Sequence, residues 1–159
     1  MLATSTFQLV AKPDDDVEEE SVRLAALAQD VRAFVQSHEW APPIENLLLA
    51  FGIGGVIGLY LVRFKHGVVS GEGNGDREIW VVVGDLPSIY FEVEGSETPA
   101  AALETYCRIA QAWADAVLAG GDLSEEFPIP VAPTEAHARM LSSRLQTIRE
   151  IFLPRLVRN

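Results

Sequence analysis

The sequence predicts an α+β domain in the order α-α-β-β-β-α-α, a three-stranded antiparallel meander with helices before and after it. Three observations carry this reading. Apolar residues step by three and four near both ends of the chain, as amphipathic helices require. The middle holds two runs rich in β-branched and aromatic residues, then a third run that alternates cleanly. Gly- and Pro-rich turns separate these segments, and no internal repeat or long linker interrupts them.

Residues 1–13 carry little pattern, so 1–16 is expected to be a weakly ordered acidic tail and 17–159 a single α+β domain. Leu24, Leu27, Val31 and Phe34 define one face of a helix from about Val17 to Ser37. Its first turn is acidic, where the helix dipole favours negative charge. Ala41-Pro42-Pro43 breaks the chain. Pro43 is placed to open a second, short helix through Ile44, Leu47, Leu48 and Phe51, capped by Gly52.

Leu47 to Val62 is a 16-residue stretch without a charge that holds four glycines. As one helix it would span about 24 Å, short of a bilayer core of about 30 Å. The four glycines would each cost on the order of 1 kcal/mol in a helix interior. Ala50, Gly54 and Gly58 do form a small-residue ladder, and Arg63 and Lys65 follow at once, as a membrane helix would use them. The β-forming residues Val56-Ile57 and Tyr60-Leu61-Val62 favour a helix end at Gly52, a turn at Gly54 and Gly55, and a buried strand from Val56 to Lys65.

His66 to Arg77 reads as a hairpin loop with Asn74-Gly75 as its turn dipeptide. Glu78 to Gly84 is apolar from Ile79 through Val83, so both faces of this second strand are expected to be buried. Ser88 to Glu94 places Ile89, Phe91 and Val93 on one face and Tyr90, Glu92 and Glu94 on a solvated one. Thr98-Pro99 opens a helix with Leu103, Tyr106, Ala110, Trp113 and Val117 on its apolar face, ended by Gly120-Gly121. Phe127 to Pro133 is extended, because each residue before a proline is pushed out of the helical region. Thr134 caps a last helix through Leu141, Leu145, Ile148 and Phe152, with Pro154 as its stop. Two doubly apolar strands need cover on both faces, from helices or from a second copy in a homodimer.

The net charge is −11, which argues against a nucleic-acid binder and against docking on anionic lipid. The charge is uneven: residues 1–20 hold one Lys and six acids, whereas 134–159 hold five Arg and two Glu. These are ordinary solubilising faces, or else an acidic surface aimed at a basic protein partner. The one cysteine cannot form an intramolecular disulfide, and the N-terminus lacks the basic and apolar regions of a secretory signal. The cytoplasm is the expected location.

Ile79 to Ser88, which contains WVVVGDLP, is followed by Thr98-Pro99 with a Trp113-bearing helix, then by Pro133-Thr134 and the Ser142-Ser143-Arg144-Leu145 helix. Over about residues 50–153 this pattern resembles a family of small bacterial proteins of unknown function. The resemblance implies a soluble, bacterial, single-domain protein. It transfers no catalytic residue, and the acidic tail lies outside it.

No strong chemical motif is present. Gly52, Gly54, Gly55 and Gly58 fail the dinucleotide fingerprint, because Ile57 stands where a glycine is needed and the helix precedes the strand. His38, His66 and His137 lie in three separate elements without a partner at ligand spacing, so no metal and no cofactor are expected. Cys107 is mid-helix beside the apolar stripe and reads as a buried, inert thiol. Asp85, with Tyr90 and Glu92, is the one group to examine for acid–base catalysis, although Asp before Leu-Pro is also an ordinary turn former. Trp80 and Trp113 read as core. Trp40, beside Glu39 and a Pro-Pro break, reads as an interface residue, and with Tyr90, Glu92 and Glu94 it forms the candidate interaction set.

The leading functional reading is a soluble, non-catalytic interaction module, immunity- or adaptor-like, whose acidic surface meets a basic partner. An enzyme of unrecognised type with an acidic site around Asp85 is the alternative. A membrane-anchored protein using residues 47–62 is the third.

Overall fold

The computed structural model of the chain describes residues 17–53, 56–67, 69–70, 73–74 and 77–158. The expected tail at 1–16, the acid side chains of the first helical turn and the glycines 54 and 55 lie outside the described residues. Two compact units are present, one through Glu97 and one from Thr98 onward.

The first unit begins with α1, Val17–Gln36. Leu24, Leu27, Val31 and Val35 are buried along it. Phe34, expected on that face, is half-buried at its margin. The helix ends where Ser37 Oγ donates to the Phe34 carbonyl at 2.6 Å and His38 Nδ1 lies 2.8 Å from the same oxygen. These bonds satisfy one of the carbonyls that a helix C-terminus leaves without an intrahelical donor.

The expected second helix is instead a strand, β1, Ile44–Ile53. It pairs antiparallel with β2, Ile57–Phe64, so the charge-free stretch is a hairpin and not a helix end. The Val56 N–H donates to the Ile53 carbonyl at 3.0 Å across the reversal. The misreading has a physical cause. The register slips between Ile44 and Asn46 and again between Leu49 and Phe51. Each slip inserts one residue, a β-bulge, and returns the side chains to the same face after three positions. Ile44, Leu47, Leu49 and Gly52 therefore share the α1 face, opposite Phe64, Val62, Tyr60 and Gly58. Two bulges thus imitate the spacing of a helix.

The fold is α+β as expected, but its main sheet has four strands. After β2 come β3, Val69–Ser70, and β4, Gly73–Asn74, which pair only with each other. Asn74 stands opposite Val69 in this pair, and Gly75 of the expected turn dipeptide lies outside the described residues. Next come β5, Glu78–Gly84, and β6, Ile89–Glu92. The sheet order is β1-β2-β5-β6, antiparallel throughout.

On one face, Tyr60, Val62, Phe64, Ile79, Val81 and Val83 pack with the buried residues of α1. The Tyr60 hydroxyl donates to the Leu24 carbonyl at 3.1 Å and ties helix to sheet. Burial pushes this phenol up to about 12, with the Asp30 carboxylate adding to the effect. A Cβ on Gly52 would lie 2.8 Å from Leu24 Cδ2, so the missing side chain permits the close approach of α1. The other face is buried too, with Leu59, Leu61, Trp80, Val82 and Ile89 fully inaccessible. Trp80 Nε1 donates to the Ser96 carbonyl at 2.7 Å. Where this face meets polar residues, Arg63 pairs with Glu78 at 2.6 Å.

The second unit holds α2, Pro99–Leu118, and α3, Glu135–Thr147. Thr98 and Thr134 cap them as expected, accepting from the Ala101 and His137 N–H groups at 3.1 and 3.2 Å. Alpha2 closes in a Schellman motif: Gly120 (φ 67°) and Gly121 donate to the Val117 and Ala116 carbonyls. Leu103, Tyr106, Ala110 and Trp113 are buried as expected, whereas Ala114 and not Val117 completes the stripe. Alpha3 buries Ala138, Leu141 and Leu145.

Pro154 does not stop the chain's helical run. A π-helical turn at Ile148–Phe152 leads into α4, Leu153–Arg158. The Leu153 N–H reaches back to the Ile148 carbonyl. The wider turn places Pro154 in the first turn of a new helix, where its missing N–H leaves no bond unmade.

Candidate functional site

The C-terminal end of α1, the segment after it and β6 bring together residues that are far apart in the chain. Pairing of Val81 with Tyr90 sets the Tyr90 side chain on the α1 face of the sheet. The turn after α1 is held by the Ala41 N–H on the His38 carbonyl at 3.2 Å, and it swings Trp40 over the same face. The Trp40 and Tyr90 rings then lie 4.9 Å apart, centroid to centroid.

His38 stands among three aromatic rings. Its centroid is 5.1 Å from Phe34, 5.0 Å from Tyr90 and 5.2 Å from Trp40, with the first two edge-on. Phe34 also reaches Tyr90 at 6.1 Å, and Trp40 meets Phe64 edge-on at 6.4 Å. Because a carbonyl oxygen only accepts, the 2.8 Å contact to Phe34 places a proton on His38 Nδ1. The sequence assigns His38 no site role and puts Phe34 on the apolar face of α1. The four-residue step from Phe34 to His38 at a helix end was the available signal.

Trp40 and Tyr90 are each half-buried, so this aromatic cluster reaches solvent. Glu39 next to Trp40, and Glu92 and Glu94 beyond Tyr90, are exposed. Glu92 stands opposite Ile79 and so shares the face of Tyr90. Aromatic faces carry negative potential, and carboxylates near them add to it. This surface is suited to lysine or arginine side chains.

The proposed acid–base group is divided. Asp85 is exposed at the far end of β5, where its N–H donates to the Val56 carbonyl at 2.9 Å. It lies six residues beyond Ile79, the partner of Glu92. At about 3.3 Å per residue this separates Asp85 from Glu92 by roughly 20 Å. Tyr90 and Glu92 belong to the aromatic surface, and Asp85 belongs to the turn.

Cys107 is fully buried, as expected. Burial pushes its thiol up to about 11; Arg149 opposes the shift and Glu104 adds to it. It is protonated and unreactive at neutral pH. His66 Nδ1 lies 3.1 Å from the Gly67 carbonyl and His137 Nδ1 lies 2.9 Å from that of Ala132. Among the described residues no group of three or more His, Cys, Asp or Glu could hold a metal ion. Among the described residues no helix is long and apolar enough to cross a membrane.

No family model matches the chain, and no match was found among curated proteins or solved structures.

Proposed function

We propose that this chain is a non-catalytic protein–protein interaction module of the bacterial cytoplasm, immunity- or adaptor-like. In this reading it engages a basic partner through Trp40, Tyr90, Glu92 and Glu94. The observation that carries it is the 4.9 Å contact between Trp40 and Tyr90. Fifty positions of sequence separate these rings, yet they meet at a solvent-reaching patch fringed by exposed carboxylates. Large aromatics at a patch centre with a charged rim are the composition of an interface hot spot. The net charge of −11 steers a cationic partner toward it.

Trp40 supplies the test. Trp80 and Trp113 are buried, so Trp40 is the tryptophan that reaches solvent. Titration with a blocked peptide alternating arginine and glycine should change Trp40 emission, and added salt should reverse the change. Tyr90→Ala and the pair Glu92→Gln with Glu94→Gln should each weaken binding about tenfold or more. Binding of equal strength in both variants would overturn the proposal, as would a peptide that leaves Trp40 unquenched.

A further inference from the structure

The two edges of the main sheet are built differently. Beta6 is four residues long and ends on an exposed carboxylate, Glu92, and both features discourage further strand pairing. Beta1 is ten residues long, and from Asn46 to Ile53 it carries no charge and no proline. Among the described residues its ladder partner is β2 alone. No other backbone hydrogen bond involves residues 45–50 among the described residues. Leu47, Leu48 and Leu49 are only half-buried, with Leu48 on one face of the sheet and the other two on the opposite face.

We propose that the outer edge of β1 pairs antiparallel with β1 of a second copy, joining two four-stranded sheets into one of eight strands about a two-fold axis at Leu48. The two bulges leave Asn46 to Leu49 as a regular run between them. An axis at the centre of the three leucines sets Leu47 of one copy opposite Leu49 of the other on the α1 face. The two Leu48 side chains meet on the other face. A strand paired with itself in this way is self-complementary, as a two-fold interface requires.

Charge selects the occupant. Copies of a chain with net charge −11 repel one another except where the approaching surface is neutral. The uncharged and partly exposed residues Asn46 to Leu49 on the edge of β1 supply such a surface, whereas the apolar residues of β2 behind them are buried. A basic partner would find only Glu45 there, and Glu45 is already held by Arg77 at 2.7 Å. Specific interfaces begin at about 1,000 Å², and one strand edge with three leucines per copy sits at the small end of that scale. The dimer is therefore reversible and concentration-dependent. It uses the edge opposite β6 and is independent of the aromatic surface.

Sedimentation equilibrium of the full chain tests this. From about 1 µM to about 1 mM, the apparent mass should rise from 17.4 kDa toward twice that value. Leu48→Lys should stay at the single-chain mass throughout, with unchanged far-UV circular dichroism. Leu48→Cys should form a disulfide-linked dimer on mild oxidation, whereas the native chain, with only the buried Cys107, should not. Val22→Cys, at an exposed position on α1, is the control for random collision. Trp40→Ala should dimerise like the native chain, which separates this inference from the partner-binding proposal. A chain that stays single at about 1 mM overturns the proposal. So does a dimer unaffected by Leu48→Lys, or a Leu48→Cys chain that cross-links no faster than Val22→Cys.

Discussion

Gly84 closes the WVVVG run with φ 138°, a conformation that L side chains rarely adopt. A Cβ there would overlap the Val56 carbonyl oxygen and lie 2.8 Å from Ile57 Cα. Both neighbours are backbone, so no side chain can rotate away. Gly84→Ala therefore incurs backbone strain of about 1–3 kcal/mol. To relieve the clash, the start of β2 must move off β5. That movement breaks the bond from the Asp85 N–H to the Val56 carbonyl, 2.9 Å long, at about 1 kcal/mol. The reduced freedom of the unfolded alanine chain returns about 0.4–1 kcal/mol. The net loss is about 2–3 kcal/mol. In urea, with a slope near 1.5 kcal/mol/M, the midpoint should fall by about 1.3–2 M. Tryptophan emission follows it, since Trp80 lies on the same strand. Gly95→Ala is the matched control, with φ 87° and no atom within 4 Å of the added carbon. Its strain of about 1–2 kcal/mol, less the same return of about 0.4–1 kcal/mol, should leave a cost near 1 kcal/mol. Equal midpoints for the two variants would refute the claim that the Val56 backbone is what requires glycine at position 84.

Three further outcomes follow from the structure. Folding favours the protonated forms of Cys107 and Tyr60, which burial pushes from 9.0 and 10.0 up to about 11 and about 12. Their contribution is fully present below pH 9 and is lost as the pH rises through the folded values. The unfolding free energy read from urea titrations should therefore fall between pH 9 and pH 12, by on the order of 2 kcal/mol per group. Thr98→Ala and Thr134→Ala each remove a side-chain acceptor at a helix start and should cost about 1 kcal/mol, read as a fall in melting temperature. Glu78→Ala takes a carboxylate from Arg63 in a pair only 10–13% exposed and should cost about 2–3 kcal/mol. Glu135→Ala, from a pair about two-thirds exposed, should change stability by less than about 0.5 kcal/mol.

Strands β2 and β5, and helices α1, α2 and α3, are legible in the sequence because local signals agree there. Thr98-Pro99 and Thr134 cap, Gly120-Gly121 terminates, and the apolar periods are unbroken between them. Beta1 was not legible, because its two bulges reproduce a step of three and Pro43 mimics a helix start. Pro154 misled for a related reason, since the rule that proline ends a helix assumes a regular four-residue ladder. A π turn removes that assumption.

Sequence alone selected Trp40, Tyr90, Glu92 and Glu94 by residue type and exposure, and composition alone gave the acidic balance. It grouped Asp85 with Glu92 because they are seven positions apart, but a hairpin sends such neighbours to opposite ends of the sheet. It left Phe34 and His38 out of the site, because a ring's neighbours depend on which strand closes over it. Local chemistry determined the α+β class, the caps and the buried strands, since each depends on residues a few positions apart. Only the tertiary structure decided that the charge-free stretch is an edge hairpin and that Trp40 meets Tyr90. Both depend on strand pairing across tens of residues, and bulges shift that pairing without leaving a mark on local propensity.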